Sequence, residues 1–156
     1  MEPTSQKQLV FTNFEGFERI AVPSLCEIWN WEGDKTVLPT KWSETLKSSF
    51  NIDMSSQDLK NDYAENSKFD PNAFFFVTYR SSSIGWWLVW PEDDGKYTLK
   101  FLWAGQRYRD QNLEQALAGL AIEYMNQHKP DVGKLYISPF DDTQYDKLQE
   151  MGFVEE

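Results

Sequence analysis

The chain has 156 residues, of which 40% are hydrophobic and 16% aromatic, enough apolar material for one domain with a packed core; this excludes a disordered polymer. A formal net charge of -10 argues against nucleic acid and anionic membrane surfaces as partners and favours cationic amines or basic proteins. The single cysteine, Cys26, excludes an internal disulfide, and together with the single histidine, His128, it leaves too few soft ligands for a zinc site, so no metal is expected.

Residues 1–156 read as a single domain without internal repeats. Met1-Glu2-Pro3-Thr4-Ser5 lacks the basic-then-apolar layout of a secretory signal and no apolar run is long enough to span a bilayer, which predicts a cytoplasmic location. Leu9 to Phe14 reads as a first strand. Phe17 to Trp31 reads as mostly helical, with Pro23 near a helix start or between two short helices, and Gly33-Asp34 closes that segment. Thr40 to Ser67 is polar with anchors at Trp42, Leu46, Phe50, Leu59 and Tyr63, and Ser55-Ser56-Gln57-Asp58 can cap a short helix there. Ala73 to Arg80 and Ile84 to Trp90 are aromatic and β-branched, separated by a Ser81-Ser82-Ser83 turn, and should pair as a hairpin. Asp94-Gly95 between β-rich flanks is a strong hairpin signal, which makes Tyr97 to Trp103 the third strand of a meander. Leu113, Leu117, Leu120, Ala121, Tyr124 and Met125 then recur at helical spacing up to His128-Lys129-Pro130. Lys134 to Ser138 reads as a short strand, and Asp141 to Met151 as a last helix closed by Gly152.

Chemistry concentrates between the meander and the long helix, in Ala104-Gly105-Gln106-Arg107-Tyr108-Arg109-Asp110-Gln111-Asn112-Leu113-Glu114. A strand running through a loop into a helix is a place for a phosphate, because the first helical N–H groups and the helix dipole favour an anion. Arg107 and Arg109 suit that role. Asp110 and Glu114 oppose it: a carboxylate about 5 Å from a phosphate charge costs about 1 to 3 kcal/mol at effective dielectrics between about 80 and 20. The same residues also support a self-contained helix start, with Asn112 as N-cap, Gln115 three residues on as in a capping box, and Asp110 and Glu114 complementing the dipole. Asn112 is also a residue that tolerates the left-handed conformation.

The order of elements, the Ala104-x-Gln106-x-Tyr108-Arg109 register and the Gly152-Phe153 ending together resemble the GCN5-related N-acetyltransferases (GNAT). In that family the strand before the loop runs into Val-x-Pro-x-Tyr-Arg-Gly-x-Gly-x-Gly or Ala, and here Asp110, Asn112 and Glu114 stand at the three glycine positions. The resemblance implies an α+β chain with the acyl-CoA N-acyltransferase fold, a central mixed, mostly antiparallel sheet flanked by helices. It implies acetyl-CoA as cofactor, with Trp103 and Ala104 splaying from the sheet to hold the pantetheine. Its pyrophosphate would lie on Arg107, Arg109, Asp110, Gln111, Asn112, Leu113 and Glu114. The family's tyrosine acid in the last helix corresponds to Leu148, which leaves Tyr145, three residues earlier, as the candidate catalytic acid. The family's asparagine before that helix corresponds to Asp141, or to Pro139-Phe140 with a slipped register. Trp29 and Trp31 would lie on the helices bordering the acceptor site.

Transfer to an amine requires the amine to be neutral when it attacks. Glu27, Glu92, Asp93 and Asp94 supply carboxylates, and no base is singled out. Seven tryptophans, Trp29, Trp31, Trp42, Trp86, Trp87, Trp90 and Trp103, can pack the core or line a pocket for a cation, and as strand neighbours Trp86 and Trp87 must face opposite ways. Two functions are therefore expected: an acetyl-CoA-dependent N-acetyltransferase acting on a primary amine of a small molecule or protein, or a non-catalytic protein of the same fold serving as a binding module. Only Val154-Glu155-Glu156 follows Gly-Phe, which suggests a sheet edge that is open or completed by another chain, and hence a weak homodimer.

Overall fold

A computed structural model describes residues 8–17, 26–30, 42–80 and 82–156. The strands are β1 (Leu9–Phe11), β2 (Glu27–Asn30), β3 (Phe74–Tyr79), β4 (Ser82–Pro91), β5 (Tyr97–Ala104), β6 (Leu135–Ile137) and β7 (Val154–Glu155). The α-helices are α1 (Trp42–Phe50), α2 (Ser56–Leu59), α3 (Gln106–Arg109), α4 (Leu113–His128) and α5 (Asp142–Glu150), with a π-helical turn at Lys60–Ala64 and a 3-10 turn at Pro71–Ala73. One seven-stranded sheet has the order β2-β3-β4-β5-β6-β1-β7. Every pairing is antiparallel except β5 with β6, which is parallel and registers at a single pair, Thr98 opposite Tyr136. The α+β class with a mixed, mostly antiparallel sheet is as expected.

The meander forms where the aromatic runs lie. Its second turn uses one left-handed residue rather than two: Gly95 has φ 86, its N–H donates to the Glu92 carbonyl at 3.0 Å, and the Glu92 N–H donates to the Lys96 carbonyl at 2.7 Å. The first turn is shorter than predicted, since Ser82 and Ser83 already belong to β4. In β5 the register with β4 slips between Trp86 and Leu88, and Phe101 has φ 59, so β5 carries a bulge.

Both faces of the sheet are covered. On one, Leu113, Leu117 and Ala121 of α4 pack on Trp87, Val89 and Leu102. Gly85 permits the close approach of α4, since a Cβ there would lie 2.7 Å from Leu117 Cδ1 and 3.0 Å from the Trp103 carbonyl oxygen. On the other, Leu46 of α1 joins Phe74, Phe76, Trp86, Leu88 and Trp90, with Tyr63 packed alongside. Trp86 and Trp87 are both fully buried, one in each layer. Each removes about 150 to 250 Å² from water, about 4 to 6 kcal/mol at about 25 cal/mol per Å².

The helix boundaries follow local chemistry. Ser55 and Asp58 form a reciprocal cap at α2, the Asp58 N–H donating to Ser55 Oγ and the Ser55 N–H to the Asp58 carboxylate. At the end of α5, Gly152 has φ 109, the Gly152 N–H donates to the Gln149 carbonyl and the Phe153 N–H to the Leu148 carbonyl, the two bonds of a Schellman ending.

Two expectations change. The predicted strand Leu9 to Phe14 ends at Phe11. Within the predicted helical stretch Phe17 to Trp31, Glu27–Asn30 is a strand paired with Phe75 to Thr78 of β3, so Trp29 lies on a strand; residues 18–25, Trp31 and Gly33-Asp34 lie outside the described residues. β7 pairs with β1 and forms one margin of the sheet, with Val154 54% exposed. No helix among the described residues is long and apolar enough to cross a membrane.

Candidate functional site

After the single Thr98–Tyr136 pair, β5 continues to Ala104 with no further register to β6. A cleft of about 510 Å³ opens there. β5 contributes Trp103 and Ala104 to its walls, α1 contributes Ser48, α3 contributes Gln106 and Arg109, and the run into α5 contributes Phe140 and Asp141. Trp103 stacks on Trp86 with ring centroids 4.4 Å apart, and Phe140 packs against Phe50 at 4.9 Å, so the two walls are backed by aromatic rings.

The loop that leads away from the cleft is not an open cradle. Residues 106–109 form the short helix α3. Its turn engages the N–H groups of Tyr108 and Arg109 on the Gly105 carbonyl, of Asp110 and Gln111 on the Tyr108 carbonyl, and of Asn112 on the Arg109 carbonyl. The chain then reverses through Asn112 at φ 63 and ψ 27. This is the left-handed option, and it precludes the predicted capping box: an N-cap side chain reaches its helix from extended backbone, and Asn112 makes no side-chain cap bond to α4.

Arg109 points inward. Its guanidinium pairs with Glu114 through Nε and Nη2, and with Asp141 through Nη1 and Nη2 at 2.9 Å each, while lying 5.2 Å from the Phe140 ring centroid. Glu114 is completely buried and Asp141 part-exposed. Lys147 adds a bond from Nζ to the Arg109 carbonyl. Burial opposes the guanidinium charge, but the bonds to Asp141 and Glu114 outweigh it and raise the arginine above its ordinary range. Burial likewise pushes Asp141 up, and the Arg109 guanidinium with the Gln144 N–H outweighs it, holding the carboxyl below the usual range. Two carboxylates face two cations, so the cluster is neutral overall.

Of the residues suggested for acetyl-CoA, the structure brings Trp103, Ala104 and Arg109 together in the cleft. Arg107, Asp110, Gln111 and Asn112 are exposed and outside the lining. The side chains of Leu113 and Glu114 are fully buried, so at these positions only the backbone N–H groups at the start of α4 remain for a ligand. Tyr145 is also outside the lining. Its hydroxyl donates to Glu155, which raises its pKa, and burial adds to the rise. Leu148 is completely buried. Of the suggested carboxylates, Glu92 pairs with Lys100 at 3.3 Å, Asp93 pairs with Lys68, Asp94 accepts from the Lys96 N–H, and Glu27 is exposed on β2.

Two participants were not singled out in the sequence. Gln144 and Lys147 lie on the inner side of α5, and Asp141-x-x-Gln144 is a capping-box spacing that could have flagged the first of them. Asp141, extended at φ -152, accepts from the Gln144 N–H at 2.8 Å, which forms the N-cap half of the box, while the Gln144 side chain accepts from the Phe140 N–H one residue before the cap.

A mixed sheet whose parallel pair parts at a bulge beside a long helix is the acyl-CoA N-acyltransferase fold, and solved structures of that fold superpose on it. A GCN5-related N-acetyltransferase from Sphaerobacter thermophilus aligns with a TM-score of 0.69 and 12% identity over 96% of this chain and 48% of its own. One from Kribbella flavida aligns with a TM-score of 0.57 and 12% identity over 96% of this chain and 54% of its own. A Drosophila protein aligns at 0.62 and 14% over 96% and 47%. The chain thus spans about half the length of each. No family model matches the sequence, and no curated protein matches it.

Proposed function

We propose that the protein binds acetyl-CoA in the cleft where β5 leaves β6 and transfers the acetyl group to a primary amine of a small molecule or protein. The observation that carries this reading is the position of the cleft: it opens at the bulged, parted end of β5, walled by Trp103 and Ala104, and its Arg109 connects it to the start of α4, which has no side-chain cap. One objection raised by the sequence is weaker in three dimensions. Glu114 does not confront a phosphate, because Arg109 neutralises it in the interior. Trp103, Ala104 and the N–H groups of Leu113, Glu114 and Gln115 are the groups that fit the cofactor, whose thioester supplies an activated acyl carbon. The acidic surface would concentrate a cationic acceptor. Asp141, committed to Arg109 and to the α5 cap, is a weak base, so solvent in the open cleft would take the amine proton.

Isothermal titration with acetyl-CoA tests the reading. Measurable heat that weakens in Trp103→Ala is expected, followed by release of free thiol when amines are added. No heat and no thermal shift at millimolar acetyl-CoA would overturn it.

A second reading, a non-catalytic binding module of the same fold, is favoured by one observation: the N–H groups of residues 108–112 are already engaged within the α3 turn. It predicts either no acetyl-CoA binding or binding without thiol release for any amine.

A further inference from the structure

Gln144 touches both walls of the cleft. The residue is 1% exposed and both ends of its amide are engaged: Nε2 donates to the Leu102 carbonyl and to Glu114 Oε2, each at 2.9 Å, and Oε1 accepts from the Phe140 N–H at 3.2 Å. Leu102 lies between the bulge residue Phe101 and the cleft residue Trp103, on the part of β5 that no longer registers with β6. A buried carbonyl without a strand partner needs another donor, and the Gln144 amide stands in for the missing ladder N–H. Phe140, held by the other end of the same amide, belongs to the opposite wall.

We propose that Gln144 is a positioning residue that fixes the separation of the cleft walls, tying the parted end of β5 to the start of α5 and to the Glu114 carboxylate. Its consequence for ligand rests on the cleft being the acyl-CoA site; the bridging geometry does not. Only a neutral amide of this length satisfies all three partners, since it must donate twice and accept once. An aliphatic residue would leave the Leu102 carbonyl and one Glu114 oxygen without this donor. A carboxylate would meet Glu114 of α4 at hydrogen-bond distance, with Arg109 of α3 and with Asp141 and Lys147 from the start and last turn of α5 as the charged groups around it.

Labelling with 5-fluorotryptophan gives a test, with the Trp103 and Trp87 resonances assigned by their loss in Trp103→Phe and Trp87→Phe. In Gln144→Met the Trp103 resonance should shift or broaden while Trp87, in the layer beneath α4, stays in place, and acetyl-CoA should bind about ten-fold more weakly. In Gln144→Glu the introduced carboxyl can donate once while protonated and not at all when ionised, so the Trp103 resonance should lie closer to its wild-type position near about pH 5 than near about pH 8. The wild-type resonance should not titrate this way. If Gln144→Met does not fold, the Gln144→Glu titration decides. A Trp103 resonance unmoved in both variants overturns the positioning role, and so does global unfolding of both. If Trp103 responds as expected but the wild type takes up no acetyl-CoA, the positioning role stands and the acyl-CoA reading falls.

Discussion

The starts of α4 and α5 carry the same spacing, Asn112-x-x-Gln115 and Asp141-x-x-Gln144, and fold differently. Asp141 arrives from an irregular run after β6 with extended backbone, its carboxylate accepts from the Gln144 N–H, and the Gln144 side chain reaches back to Phe140. Asn112 arrives directly from α3, so the chain must reverse between two helices, and a left-handed residue does this where a capping side chain cannot. A capping pattern therefore specifies a cap only when the preceding segment delivers extended backbone. At α4 the charge balance comes instead from Arg109, which is shared between the two helix starts through Glu114 and Asp141.

Removing that shared cation should have the largest effect. Arg109→Ala leaves a fully buried Glu114 with Gln144 as its remaining partner and should cost about 3 to 5 kcal/mol in urea unfolding. Arg109→Met with Glu114→Leu should recover most of that loss, since apolar replacement of a whole buried pair is often neutral.

The two caps should then separate. Asp141→Ala should cost about 1 to 2 kcal/mol, as a lost N-cap. Asn112→Ala should cost about 1 kcal/mol for a different reason, the left-handed backbone, so Asn112→Gly should be silent or stabilising. If Asn112→Gly is as damaging as Asn112→Ala, the side chain matters at 112 and the contrast between the two starts fails.

Acid should sharpen the same contrast by a smaller amount. The Asp141 carboxyl titrates lower in the folded chain than in the unfolded one, so its stabilisation is complete above about pH 4 and is lost as pH falls through the folded value. Thermal melts should show wild type losing stability more steeply than Asp141→Asn below about pH 4, by less than about 1 kcal/mol because the side chain is part-exposed.

The smallest effect belongs to the Tyr145 hydroxyl, at the partly exposed edge of α5. Tyr145→Phe, which loses a surface bond to Glu155, should change stability by less than about 0.5 kcal/mol and leave acetyl transfer unchanged. A fall of about 100-fold or more in turnover would restore Tyr145 as the acid.

Much of the fold is legible in the sequence because it rests on local rules: the aromatic strands, Gly95 at the hairpin, the helical spacing of α4 and Gly152 after α5. The strand Glu27–Asn30 is not, because four residues carry too short a pattern and their pairing with β3 decides the matter. At the site, Trp103 and Ala104 follow from the family resemblance, and both line the cleft. The direction of Arg109 does not follow, because nothing local says that an arginine before a helix will turn inward to acids 5 and 32 residues further on. Gln144 is half legible: its spacing from Asp141 marks a cap, but its bonds to Leu102 of β5 and Glu114 of α4 have no local signal.

The bulge at Phe101 shifts the reading frame of β5. Before it, Tyr97 and Leu99 face the α4 layer; after it, Leu102 and Ala104 do, while Phe101 joins the aromatic layer that Trp103 packs against. Odd positions face α4 upstream and even positions face it downstream, so Phe101 is an extra beat in a two-residue rhythm. Deleting that one residue, rather than replacing it, would restore a plain alternation in which Leu102 and Ala104 still face α4 and Trp103 still faces the aromatic layer, so the strand would keep its faces and lose only the bend that the bulge gives β5.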